Sequence, residues 1–389
     1  MSSSTAKNGS GTYVKHSSQG PFTLWCGLTF SGAMKMLRMR PALSWNRWYR
    51  TALLPGSFAY NTALSAVESV LYGGRIARTE LNPAPLIVLG HWRSGTTLLH
   101  NLLVNDQHYS FPNTYSCVYP FHFLTTERVV KPLTGWLLPK SRPMDNIEAG
   151  WDCAQEDEMA LCLMTMASPY VMALRPDRFE TYGRFFNPAN MTTRERSDFL
   201  EAMRTFFKKL AVRDPRALCL KSPGHTFRIP LLHELFPQAK YVYIYRNPYA
   251  VYNSSCHLRR TMNDENGLGH RDQVNLENET LDVYEDCFRT YERDKALIPP
   301  ENLYEMRYET LDANPLGELE RMYDSLSLPG FDQLRRTLEP QMKGVKEYKK
   351  NKYGEDREKQ RQIYERLKFA FDRFGYPSPL QQPVEQAVA

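Results

Sequence analysis

The sequence predicts an α/β protein with three layers around a central parallel sheet and an N-terminal helical extension. Three observations predict it. Residues 86–89 are a short apolar run that leads through a glycine-bounded loop into Leu98, Leu99, Leu102 and Leu103, spaced for one face of a helix. Residues 241–245, Tyr-Val-Tyr-Ile-Tyr, are five aromatic or β-branched residues in a row, as a strand buried on both faces requires. That run stops at Arg246-Asn247-Pro248, and proline fits the first turn of a helix, where no N–H is needed. From the proline-rich turn at 81–85 onwards, strand runs alternate with helical patterns, as in a parallel sheet.

Taken in order, residues 1–20 are rich in Ser, Gly and Lys, a composition that predicts disorder. Residues 21–83 form the helical extension, with Trp25, Trp45 and Trp48 interleaved with Lys35, Arg38, Arg40, Arg47 and Arg50. Trp45 and Trp48 stand at helical spacing, which favours a layer packed on the main domain. The alternative is a basic-aromatic surface, residues 22–60, in weak contact with a membrane interface. Residues 84–378 hold the main domain, closed by an amphipathic helix over 358–374, and 379–389 are a flexible tail.

A net charge of +6 without a long like-charged block suits anionic small ligands and does not argue for nucleic acid. Seven scattered cysteines without a C-x-x-C pair read as thiols in a reducing compartment. With no apolar run of about 18 residues and no signal peptide at the start, the expected location is cytoplasmic.

The loop Gly90-His-Trp-Arg-Ser-Gly95-Thr96-Thr97 is a phosphate cradle of P-loop-like form, in which backbone N–H groups and a helix N-terminus converge on one anion. The Walker spacing is kept, but Thr96 stands where the lysine belongs, and the cation is Arg93 inside the loop. Arg246 follows strand 241–245 directly, where a nucleotide triphosphatase would often place a magnesium-binding acid. Both departures argue against ATP or GTP and predict a metal-free site. Arg246 and Ser254, eight residues apart across a strand-to-helix junction, can share a second anion at the carboxyl edge of the sheet.

The cradle, Lys221-Ser222-Pro223, the Arg246/Ser254 pair and Tyr308-Glu-Thr-Leu311 followed by Pro315 resemble, in this order, the sulfotransferases that use 3′-phosphoadenosine 5′-phosphosulfate (PAPS). The likeness runs over about residues 84–378 and is nearer to the bacterial and tyrosylprotein branches than to the cytosolic drug-conjugating one. It implies that Arg93, Ser94, Gly95, Thr96 and Thr97 hold the 5′-phosphosulfate, Arg246 and Ser254 the 3′-phosphate, and Tyr308 the adenine. Arg93 and Lys221 are then the catalytic cations. Two positions depart from the family: Thr310 replaces an aspartate, and Leu98 stands where an adenine-stacking aromatic is expected.

The base has two candidates. Glu156 lies in the acid run 155–158 at the start of an apolar helix, where apolar flanks suit a carboxylate to accept a proton; the same run could equally be compensation of a helix dipole. His122, among aromatics, is the second. Glu156 is the choice here. The basic stretch 345–354 could bring Lys349, Lys350 or Lys352 to a donor phosphate. The acceptor, whether a small molecule, carbohydrate, lipid or peptide, is left open. A kinase with an unusual cradle and a degenerate, merely binding relative are the alternative functions.

Overall fold

A computed structural model describes residues 20–137, 150–270, 273, 275–342 and 357–378. The expected disorder of residues 1–19, the tail 379–389 and Lys349, Lys350 and Lys352 lie outside the described residues.

Among the described residues five parallel strands form one sheet: β1 (Leu86–Leu89), β2 (Tyr109–Ser110), β3 (Ala217–Lys221), β4 (Lys240–Tyr245) and β5 (Leu303–Arg307), in the order β2-β3-β1-β4-β5. In β1, Ile87 and Leu89 enter one core and Leu86 and Val88 the other, and all four are fully buried. Both faces are covered, which is why the run is apolar throughout rather than alternating. Tyr241 and Tyr243 of β4 likewise point to one core, Val242 and Ile244 to the other.

The helices are α1 (Phe30–Arg38), α2 (Trp48–Arg78), α3 (Thr96–Leu103), α4 (Thr114–Val118), α5 (Phe123–Thr134), α6 (Glu158–Thr165), α7 (Phe179–Tyr182) and α8 (Thr193–Arg213). After them come α9 (Ile229–Leu235), α10 (Pro248–Asn266), α11 (Leu276–Asp294), α12 (Tyr308–Ala313), α13 (Pro315–Leu326), α14 (Phe331–Met342) and α15 (Arg357–Phe374). Helices α3 and α12 to α14 cover one face of the sheet; α6, α8 to α11 and α15 cover the other, giving the three layers. The closing helix buries Ile363, Leu367, Ala370, Phe371 and Phe374, the side the periodicity selects. All seven cysteines are free thiols.

The extension corrects one expectation. Trp25 is fully buried, but Trp45 and Trp48 are 89% and 58% exposed and belong to no core. Helix α2 explains the reversal: its buried residues are Arg50, Leu54, Phe58, Asn61 and Glu68, while Leu53, Tyr60, Val67, Val70 and Leu71 face outwards. The inward polar groups are all used. Arg50 donates to the carbonyls of Asp264 and Gly267, both at 2.8 Å. Asn61 donates to those of Cys26 and Leu28, and Glu68 lies 2.5 Å from Lys209. Polar residues can be buried where they are fully hydrogen-bonded, and that leaves apolar ones on the surface.

Candidate active site

The loop between β1 and α3 is held open by backbone conformations that side chains rarely adopt. Gly90 and Gly95 have φ of 145° and 105°. A Cβ at Gly90 would lie 2.5 Å from the carbonyl oxygen of Ile244, and one at Gly95 would strike the Tyr308 ring. Only glycine fits either place. Arg93 itself sits at φ 71°, a left-handed conformation that costs a non-glycine residue free energy and tends to occur at functional sites. The loop is pinned from below: the Gly90 N–H donates to the Thr226 hydroxyl at 2.9 Å, which donates to Gly90 O at 3.1 Å. Ser94 turns both its N–H and its hydroxyl to His91 O, so its side chain closes the loop.

Three neighbouring strands each deliver one cation here. β1 leads to Arg93, β3 ends in Lys221, and β4 runs into Arg246. Arg93 Nε donates to Ser254 Oγ of α10 at 2.7 Å. The Arg246 guanidinium stacks on the Tyr308 ring at 4.2 Å and reaches Arg93 O at 3.5 Å. Lys221 Nζ stands 3.4 Å from Thr97 Oγ1 and 2.8 Å from Glu156 Oε1. Seven of the sequence-predicted residues, Arg93, Thr97, Glu156, Lys221, Arg246, Ser254 and Tyr308, thus meet around one loop, with Gly95 and Thr96 in it. Leu98 packs half-buried against the second core.

The acid run is no mere helix start. Glu156, Asp157 and Glu158 each face a different cationic or ionisable side chain at the end of β3 or on the segment after it. Glu156 pairs with Lys221. Asp157 lies 3.0 Å from His225 Nε2, off the axis of a good hydrogen bond. Glu158 grips Arg228 through both oxygens and also accepts from Ser168 at 2.5 Å. The Tyr170 hydroxyl donates to Glu156 Oε2 at 2.7 Å.

His122 stands apart from this cluster. Its ring is fully buried, with Nδ1 2.9 Å from Thr126 Oγ1 and Nε2 3.0 Å from Asn61 Oδ1. Burial, with the nearby Lys209 charge, lowers its pKa to about 4. It joins α5 to α2.

Sequence reasoning missed a pocket beside the cradle, whose lining includes His91, Trp92, Tyr170, Met172, Ser255 and Met262. Its walls are mainly apolar, as ligand pockets are. His91 Nδ1 lies 2.8 Å from Trp92 O; a carbonyl only accepts, so that nitrogen carries the proton. Nε2 is then a bare lone pair, buried and without a hydrogen-bond partner among the described residues. Burial lowers this ring's pKa to about 4, so it is neutral near pH 7. His91 and Trp92 lie within the cradle motif itself, the one signal that could have pointed to them. Among the described residues, no cluster of three or more His, Cys, Asp or Glu is arranged to hold a metal ion.

A sulfotransferase family model matches residues 85–333. The chain is 34% identical over 361 residues to omega-hydroxy-beta-dihydromenaquinone-9 sulfotransferase Stf3 of Mycobacterium bovis, covering 92% of this chain and 93% of that one. The Stf3 of Mycobacterium tuberculosis matches equally. Among solved structures, sulfotransferase STF9 of Mycobacterium avium superposes with a TM-score of 0.64 at 20% identity, over 87% of this chain and 88% of that one. STF1 of Mycobacterium tuberculosis gives 0.59 at 20% identity, over 88% and 87%.

Proposed function

The chain belongs to the sulfotransferase family, and from its site we propose that it moves a sulfuryl group from PAPS to the hydroxyl of an apolar, lipid-like alcohol held against Trp92. The observation that carries this reading is the Lys221–Glu156 pair, which touches the cradle through Thr97 and the pocket through Tyr170. A donor site and an acceptor site joined by one cation and one carboxylate are what sulfuryl transfer needs.

The residues present fit PAPS. Two glycines leave the cradle floor without side chains, and three cations meet there. Gly95, Thr96 and Thr97 would hold the 5′-phosphate, Arg246 and Ser254 the 3′-phosphate, and Tyr308 the adenine. Bound there, PAPS supplies an electrophilic sulfur on a phosphate leaving group. Glu156 takes the proton from the acceptor hydroxyl as its oxygen bonds to sulfur and the bond from sulfur to the 5′-phosphate oxygen breaks. Arg93 and Lys221 stand beside the phosphate that gains charge, where fixed cations lower the barrier most. In place of a metal ion, these cations balance the developing charge.

The Tyr170 hydroxyl on Glu156 Oε2 marks a place a hydroxyl can occupy at the pocket wall. The relative Stf3, by its name, sulfates an omega-hydroxylated menaquinone, which supports an alcohol at the end of a long apolar chain here. His122, joined to α2 and α5, is left as a scaffold residue.

The test is transfer of labelled sulfate from PAPS to short- and long-chain isoprenoid alcohols, with magnesium chelated. Sulfation of these in preference to tyrosine peptides and sugars supports the reading. Preference for a peptide or a sugar overturns the acceptor class.

A further inference from the structure

We propose that the N-terminal face around Leu43, Trp45 and Trp48, with Arg38 and Arg40, docks on an anionic lipid bilayer and sets the mouth of the acceptor pocket against it. This deepens the reading above and rests on it for the identity of the pocket's ligand.

The first observation is composition. Residues 1–67 contain seven Lys and Arg and no Asp or Glu, so the entire net charge of +6 can be assigned to this end of the chain. Such a one-sided basic segment is drawn to anionic lipid headgroups.

The second is exposure. Leu37, Leu43, Trp45 and Trp48 are exposed large apolar side chains along one continuous stretch, and Arg38 and Arg40 are exposed among them. Arg40 adopts φ 53°, the left-handed turn that takes the chain out of α1 towards the tryptophans. Leu53 and Tyr60 on the outward side of α2 extend the apolar surface. Tryptophan, with an apolar body and one N–H, suits the boundary between headgroups and acyl chains. No described helix is long and apolar enough to cross a membrane, so this contact lies on the surface.

The third is position. Ala42 N–H donates to Leu174 O at 2.9 Å, just after Met172 and Ala173 of the pocket wall. The other wall ends at Met262 and Asn263, and the turn that follows is tied to the same stretch: His270 N–H donates to Ser44 Oγ at 2.9 Å, and Arg47 donates to Gly267 O at 3.1 Å. Gly269 packs so closely that a Cβ there would lie 2.6 Å from Ala42 O. The basic-aromatic stretch is therefore fastened to both sides of the pocket rim. Asp264 and Asp177, the acids nearby, are paired with Arg47 and Arg175. On the reading above, a long lipid alcohol places its hydroxyl end in this pocket, and the bilayer is where the rest of its apolar tail can stay.

The test uses the full chain and co-flotation with vesicles of phosphatidylcholine, alone or mixed with phosphatidylglycerol. Wild type binds the anionic vesicles and not the neutral ones. Arg38→Gln with Arg40→Gln weakens binding roughly 30-fold, the loss expected for two basic residues at an anionic surface. Trp45→Ala with Trp48→Ala weakens it about tenfold or more. Both doubles keep wild-type PAP affinity by calorimetry and wild-type turnover on a short, water-soluble alcohol, and lose turnover on a long-chain alcohol embedded in vesicles. Wild type that ignores anionic vesicles, or a tryptophan double that binds them as well as wild type, overturns the proposal. So does a concentration-dependent dimer that the tryptophan double abolishes, since a second copy would then cover this face. If vesicle binding behaves as stated but no alcohol is sulfated, the docking stands and the acceptor reading falls.

Discussion

Two ion pairs on neighbouring residues, Glu156–Lys221 and Glu158–Arg228, use the same chemistry to different ends. Glu158 and Arg228 are both fully buried. Ser168 and Ser222 take up the carboxylate's remaining capacity, and the guanidinium lies over Phe199 at 4.5 Å. Gly224 leaves no room beside them, since a Cβ there would be 2.8 Å from Glu158 Oε2. Glu156 is instead partly exposed, and its pair opens on a threonine of the cradle and a tyrosine of the pocket. A pair enclosed wholly by scaffold groups fixes structure, whereas one left in contact with the cradle and the pocket can do chemistry. What separates scaffold from site here is the second partner of each group, not its charge.

The largest expected effect breaks the closed pair. Arg228→Met leaves Glu158 buried and uncompensated, a loss of about 3–5 kcal/mol from a total of roughly 5–15. Urea denaturation should show a midpoint far below wild type, or no folded protein. A wild-type midpoint would mean that the two pairs do not differ in kind.

Next comes the open pair. Lys221→Met should lower turnover by roughly two to three orders of magnitude, as for other groups that stabilise a developing charge. Glu156→Gln keeps the Tyr170 contact but removes the base, with a loss of about 10²–10⁴. Both should keep a denaturation midpoint near wild type and bind PAP. If Glu156→Gln retains turnover while His122→Gln loses it in a folded protein, the base has been misassigned.

Arg246→Ala should weaken PAP by roughly 10- to 100-fold, the worth of a charged hydrogen bond, and leave AMP nearly unchanged. Calorimetry giving equal affinities for PAP and AMP in wild type would remove the 3′-phosphate from this arginine.

The cradle was legible because its signals are local. Glycine spacing, apolar runs and a cation at each strand end sit within a few residues of one another, and a sheet buried on both faces forces that pattern. The pocket is assembled from distant segments: Trp92, Tyr170 and Met262 meet only after the chain folds. The acid run shows the limit well. Its position before α6 was plain, but its partners Lys221, His225 and Arg228 lie more than sixty residues away. Trp45 and Trp48 were misread for a related reason. Periodicity identifies a helix but not its inner side, and α2 buries Arg50, Asn61 and Glu68 where a simple amphipathic helix would bury its apolar residues.

The smallest effect sets the scaffold histidine beside the pocket histidine. Burial lowers His91 and His122 to about 4 and His100 to about 3, from an ordinary 6.5. In the unfolded chain each takes a proton as pH falls below 6.5, whereas the folded chain refuses it until near 4 or 3. The unfolded state therefore binds more protons in this window, and stability falls as pH drops. It is unaffected by these groups above 6.5. Each contributes a slope approaching about 1.4 kcal/mol per pH unit. Urea midpoints between pH 6.5 and 5, above the range in which carboxylates held low by ion pairing, such as Glu305 with Arg373, begin to titrate, isolate the histidines. His91→Phe should reduce the slope by one histidine's share and cost less at pH 7, because it removes only the hydrogen bond to Trp92 O. His122→Phe should reduce it equally but lower the pH 7 midpoint, because it strands Asn61 and Thr126. Identical behaviour of the two variants at pH 7 would mean that His91 is held in the scaffold as firmly as His122.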